Sequence, residues 1–163
     1  MEPQRKSQNE KHIVLWGIVI LIFAIGIFLY SYPFYQPVDH TITATVYIDG
    51  RAADTTTVTM QGEKSNYVLP RKEHYNGTFA VAYFPSTCME GVRSGISWDR
   101  KWGTHITYIN NGSFGLLGTT PWVDYISEDM TEFVLRDRDT NTLIATSEEL
   151  LHLYAQPYLP HTP

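Results

Sequence analysis

Hydrophobic positions follow three different patterns along this chain. From Ile13 to Tyr30 they are continuous, and the run IVLWGIVILIFAIGIFLY carries no charge. As a helix it reaches about 27 Å at roughly 1.5 Å per residue. Apolar and aromatic residues through Tyr35 extend it towards a hydrocarbon core of about 30 Å. Backbone groups in lipid must bond within their own segment, so a spanning run is helical. Tyr30, Tyr32, Phe34 and Tyr35 gather at one end, where aromatic rings favour the headgroup layer, and Pro33 and Pro37 stop the helix.

From Thr41 the pattern changes to alternation. Ile42, Ala44, Val46 and Ile48 share one face of a strand, and Thr41, Thr43, Thr45 and Tyr47 share the other. Asp49-Gly50 follows as a hairpin turn, because both central positions of a type I′ turn need positive φ. A return strand is expected over Thr55–Met60, a loop over 61–65, and a short strand over Tyr67–Leu69. Asn76-Gly77 reads as a second turn before a strand at 78–84. Residues 85–100 show no clear period and read as loop. Alternation resumes from Trp102 to Ile109 and is closed by Asn111-Gly112. Short strands are then expected at 116–117, 122–126, 132–136 and 143–146.

The third pattern is a short amphipathic one. Thr146 and Glu149 have capping-box spacing, acids fill the first turn, and Leu150, Leu151, Leu153 and Tyr154 supply an apolar face up to Pro157. Short strands with turn signals every 8–12 residues predict a mainly β fold. The expected architecture is one N-terminal transmembrane helix, then a β-sandwich or small β-barrel with one short C-terminal helix.

Charge orients the chain. Arg5, Lys6 and Lys11 precede the apolar run, and no Lys or Arg follows until Arg51. Residues 1–12 are therefore expected as a cytoplasmic tail, 13–32 as a retained single-pass anchor in the cell membrane, and 39–163 as an extracytoplasmic domain. The run is longer than the apolar stretch of a cleaved signal, and no A-x-A-like site follows it. Residues 33–38 form an aromatic-proline joint that reaches only about 20 Å when extended, which places a partner at or near the same membrane.

The net charge of −5 narrows the partners. From Asp39 onward 15 Asp and Glu face 9 Lys and Arg. An acidic domain is unsuited to nucleic acid, which needs a basic face. Cys88 is the single cysteine, so no internal disulfide forms, and it is expected as a small buried residue.

Candidate chemistry is sparse. Asp137, Asp139 and Asn141 have D-x-D-x-N spacing, with Glu148 at the twelfth position, which is most of a calcium loop of alternating oxygen ligands. Thr142 stands where that loop needs glycine, and a strand precedes it in place of a helix, so an exposed β-turn is the competing expectation. No other cofactor is implied. No two histidines have the spacing of a helical zinc site, and Gly91-Val92-Arg93-Ser94-Gly95 places its serine one position late for a nucleophile elbow. The chemistry points away from an enzyme. A tethered hydrolase would have to gather His105 with acids such as Asp99 or Asp124. Among the aromatics, Trp102 and Trp122 are expected in the core, whereas Trp98, in the expected loop, is the candidate ligand contact. The sequence thus suggests a membrane-anchored binding or interaction domain. Its ligand would be a protein partner or an envelope glycan, with a calcium-binding structural module and a tethered hydrolase as alternatives.

Overall fold

The computed structural model describes residues 3–67, 73–99, 103–114, 118–137 and 139–155. The chain divides into two compact units: a helical one running to Phe34, and a β unit that begins at Tyr35. The first is α1 (Pro3–Ser31), whose stretch His12–Ser31 has a mean hydropathy of 2.8 and no residue buried by protein. It is long and apolar enough to cross a membrane.

The β unit is built from β1 (Phe34–Ile48), β2 (Arg51–Asn66), β3 (Glu73–Val81), a 3₁₀ turn (Pro85–Cys88) and β4 (Val92–Asp99). It continues with β5 (Gly103–Asn110), β6 (Ser113–Phe114), β7 (Trp122–Ile126), β8 (Phe133–Arg136), β9 (Thr142–Ala145) and α2 (Glu148–Ala155). One sheet contains all the strands among the described residues, in the order β6-β5-β4-β3-β2-β1-β9-β8-β7. β5 comes alongside β7, so the sheet is nearly closed. Between the two expected architectures, the fold is the barrel-like one.

Alternation builds the interior. β2 turns Thr56, Val58, Met60 and Lys64 inward, and β3 does the same with Tyr75, Phe79 and Val81. Val92 and Ile96 of β4, Tyr108 of β5 and Phe133 and Leu135 of β8 complete the main core. On the opposite face an apolar cluster forms beneath α2. There Tyr47, Val134, Leu143 and Ala145 meet Leu150 and Leu151, and Tyr125 stacks on Tyr154 with ring centroids 5.3 Å apart.

Two charged or aromatic side chains from the first half of the sheet reach the turn after β7. The Trp98 indole N–H donates to the carbonyl of Ile126 at 2.9 Å. Lys64, buried, donates to the carbonyl of Glu128 at 2.6 Å, pairs with Glu73 at 2.5 Å, and lies 5.1 Å from the centre of the Trp98 ring.

Several local expectations are corrected. The turns at Asp49-Gly50 and Asn111-Gly112 form with positive φ, but Asn76-Gly77 lies inside β3. Gly77 faces Gly62 across the β2–β3 ladder. A Cβ on Gly77 would fall 2.3 Å from the Gln61 carbonyl and 2.6 Å from the Tyr75 hydroxyl. The glycines thus let two backbones approach and let the Tyr75 ring lie over the strand. Residues 61–65 extend β2, and much of the stretch read as loop at 85–100 is β4. Most of the residues read as a joint belong to β1, which begins at Phe34. β9 pairs with β1 only over Thr45–Ile48, so the first half of β1 is an edge, where Pro37 costs no ladder bond on that side. The cap of α2 is Ser147, whose hydroxyl accepts from the Leu150 amide at 3.3 Å. Thr146 instead bonds Phe133 beside the β8–β9 ladder. Cys88 is exposed, not buried. The expected strands at Tyr67–Leu69 and 116–117 and the residues Trp102 and Pro157 fall wholly or partly outside the described residues.

Two measurements follow from the β2–β3 contact. Gly77→Ala forces a methyl into backbone and should lower stability by about 2–3 kcal/mol, as overpacking does. Thermal unfolding of the full chain in detergent, against wild type, checks this. Burial pushes the Tyr75 phenol up to about 12, partly offset by a backbone hydrogen bond at Gln61, while an unfolded tyrosine ionises near 10. The fold therefore favours neutral Tyr75. Its contribution is complete below pH 10 and is lost as pH rises from 10 towards 12. The unfolding temperature should fall over that window, and Tyr75→Phe should flatten part of the fall.

Candidate functional site

Strand polarity assembles one end of the barrel from the β1–β2 turn, the β3–β4 connection, the start of β7 and the β8–β9 turn. β1 begins at the opposite end. Two clefts open at the assembled end.

The first cleft, about 430 Å³, lies against β7, β8 and β9. Its unusual feature is Trp122, which is 46% exposed. A β-bulge between Val123 and Tyr125 explains this position. Val123 and Ile126 both turn into the main core, while Tyr125 packs on the α2 side. Trp122 is thereby left on the outside, where unbroken alternation would have aligned it with Ile126. Beside it the Arg136 guanidinium holds the Asp124 carboxylate, with Nε to Oδ2 at 2.9 Å and a second contact from Nη2. Both side chains are less than one-fifth exposed. Thr140, Asn141 and Thr142 line the same cleft from the turn, and Leu143 gives it an apolar surface.

The described residues of the turn are tied by hydrogen bonds. Asp137 Oδ1 accepts from the Asp139 amide at 3.0 Å, and the Asp137 amide bonds the Thr142 carbonyl. Asn141 Nδ2 donates to Asp49 Oδ1 at 2.8 Å, and the Asp49 amide donates to the Asn141 carbonyl. Thr140 and Thr142 share a hydroxyl bond of 2.8 Å.

The second cleft, about 520 Å³, has Tyr83, Phe84, Pro85 and Met89 on one side and Gly118 and Thr119 on the other. Ser86 joins the two sides by donating to the Thr119 carbonyl at 2.6 Å. Gly118 fits closely there, since a Cβ would meet Ser86 at 3.3 Å. Tyr83 and Met89 are 36% and 48% exposed. Asp137 lines this cleft as well as the first.

The residues singled out by sequence are placed as follows. Trp98 belongs to β4, packs on the core and commits its N–H to Ile126. Asp137, Asp139 and Asn141 form the β8–β9 turn, and Asp137 and Asn141 reach the first cleft. Glu148 lies on α2, 3.8 Å from His152 Nε2. Among the described residues no three His, Cys, Asp or Glu side chains gather as a metal site, so the turn's acids and Glu148 are not assembled into one ligand set. His105 is exposed on β5 opposite Ser97, and neither cleft includes it. Asp124 is held by Arg136. The site residue that sequence reasoning misplaced is Trp122, and the bulge that exposes it has no marker in the residue pattern.

The fold and clefts define a class: a mainly β, nearly closed sheet with an N-terminal apolar helix and an aromatic-lined cleft at one barrel end. No family model, curated protein or solved structure matches the chain.

Proposed function

We propose that this chain is a membrane-anchored extracytoplasmic binding protein whose barrel takes a neutral glycan in the Trp122 cleft. The exposed indole carries the reading. An aromatic face packs on the C–H face of a sugar ring, while convergent polar groups bind its hydroxyls. The cleft offers both, since Trp122 stands beside Asp124, Arg136, Thr140 and Asn141. Its volume falls in the usual range for small-ligand sites, about 300–1,000 Å³. Asp124 is already paired with Arg136. A neutral, hydroxyl-rich ligand therefore enters without stripping a lone charge.

The anchor part of the reading rests on α1 and on the positive residues before it. Arg5, Lys6 and Lys11 precede the span, and the next cation is Arg51. The exposed Cys88, the chain's single cysteine, is a built-in reporter of side. In intact cells a membrane-impermeant maleimide should label Cys88 without permeabilisation. Labelling only after permeabilisation would place the barrel inside the cell and remove this reading.

Ligand binding is tested with the full chain in nanodiscs. A calorimetric panel would cover neutral mono- and disaccharides, including glucose, galactose and N-acetylglucosamine. Trp122→Ala should weaken the saccharide that binds by about tenfold or more, as loss of a central aromatic anchor does. If no saccharide binds, the glycan reading fails and crosslinking from Trp122 to a protein partner becomes the alternative measurement.

A further inference from the structure

The Trp122 cleft and the Tyr83 cleft share a wall residue, Asp137, which is only 7% exposed. Each cleft also has one partly exposed aromatic ring, Trp122 in the first and Tyr83 in the second. We infer that the two clefts form one groove for an extended, neutral chain of N-acetylhexosamine units, with Trp122 and Tyr83 as stacking platforms on either side of Asp137. This inference rests on the glycan reading above and names the polymer it takes.

Charge selects the class. Among the described residues that line the two clefts, Arg136 is the single cation, and Asp124 pairs with it. The Asp137 carboxylate adds a negative charge at the junction, on a chain of net charge −5. A sulfated, uronic or sialylated chain would be repelled there. A carboxylate accepts hydrogen bonds and donates none, so the ligand group crossing Asp137 must be a donor. The amide N–H and hydroxyls of an acetamido sugar are such donors.

The second cleft fits the rest of the same unit. Met89 and Pro85 offer apolar surface beside Tyr83, suited to the acetyl methyl group. The Ser86 hydroxyl spends its proton on the Thr119 carbonyl at 2.6 Å. Its oxygen can still accept from the sugar. The platforms belong to different connections, the β3–β4 segment and the start of β7, and the Ser86 bond holds the wall between them. A ligand that engages both must be longer than one ring.

The test uses the full chain in nanodiscs and β-1,4-linked N-acetylglucosamine oligomers of one to six units, with Kd measured by calorimetry. Affinity should rise about tenfold or more from dimer to tetramer and then level off, as linked contacts add. Tyr83→Ala should remove that rise, whereas Tyr83→Phe, which keeps the ring, should retain it. Trp122→Ala should weaken every length. Equal affinity from dimer to hexamer, or a rise that survives Tyr83→Ala, overturns the groove, and if such binding still depends on Trp122 the single-cleft reading stands. Silence of these oligomers while another neutral sugar binds overturns the polymer class alone. Silence across the whole saccharide panel removes both readings.

Discussion

Two bonds cross from the first half of the sheet to its last and reinforce the approach of β5 to β7 that nearly closes it. Lys64 on β2 and Trp98 on β4 both end on backbone carbonyls at the end of β7 and in the turn after it, at Glu128 and Ile126 respectively. A buried ammonium is expensive to desolvate and persists only when its protons are satisfied. Here Glu73, the Glu128 carbonyl and the face of Trp98 share that task. The ladder carries β7 only on its β8 side, so these bonds, with the packing of β5, hold its other side to the barrel. The opposite end of β7 carries Trp122 and Asp124. β7 thus runs from the cleft at one end of the barrel to this tie at the other.

Barrel interiors are usually filled with aliphatic layers, and most of this one is. The exceptions form a pattern. Lys64 and Trp98 are polar or amphipathic groups directed at the backbone carbonyls of Glu128 and Ile126. Gly62 and Gly77 make room where Tyr75 lies flat, its hydroxyl donating to the Thr78 carbonyl at 2.6 Å. Such positions weaken an isolated strand and are tolerated because the closed sheet supplies their partners.

Period and turn chemistry made much of the fold legible. The alternation of Ile42, Ala44 and Val46 and the Asp49-Gly50 turn appear in the structure as β1 and its hairpin. What escaped depends on contacts distant in sequence. Asn76-Gly77 looks like a turn to any local rule, yet Gly62 from another strand makes it a close crossing. β4 contains Ser94, Gly95 and Ser97, too polar for a strand signal, and it gains its place from two neighbouring ladders. The site was less legible for the same reason. Alternation assigned Trp122 to the core, and a one-residue bulge reversed its face. Trp98 read as exposed because its strand was not recognised. The D-x-D-x-N spacing marked a real turn, one whose side chains are engaged with the Asp139 amide and with Asp49.

The pairing of β1 with β9 also has a consequence in time. Thr45 lies opposite Ala145, a hundred residues later. Ribosomes add about 5–20 residues per second. The edge that β9 will occupy on β1 therefore waits about 5–20 s after its own synthesis before its partner exists. During that interval the hairpin of β1 and β2 offers an unpaired strand to any neighbouring chain. The topology thus leaves this edge open to mispairing for seconds of synthesis, a hazard that no contact in the finished barrel reveals.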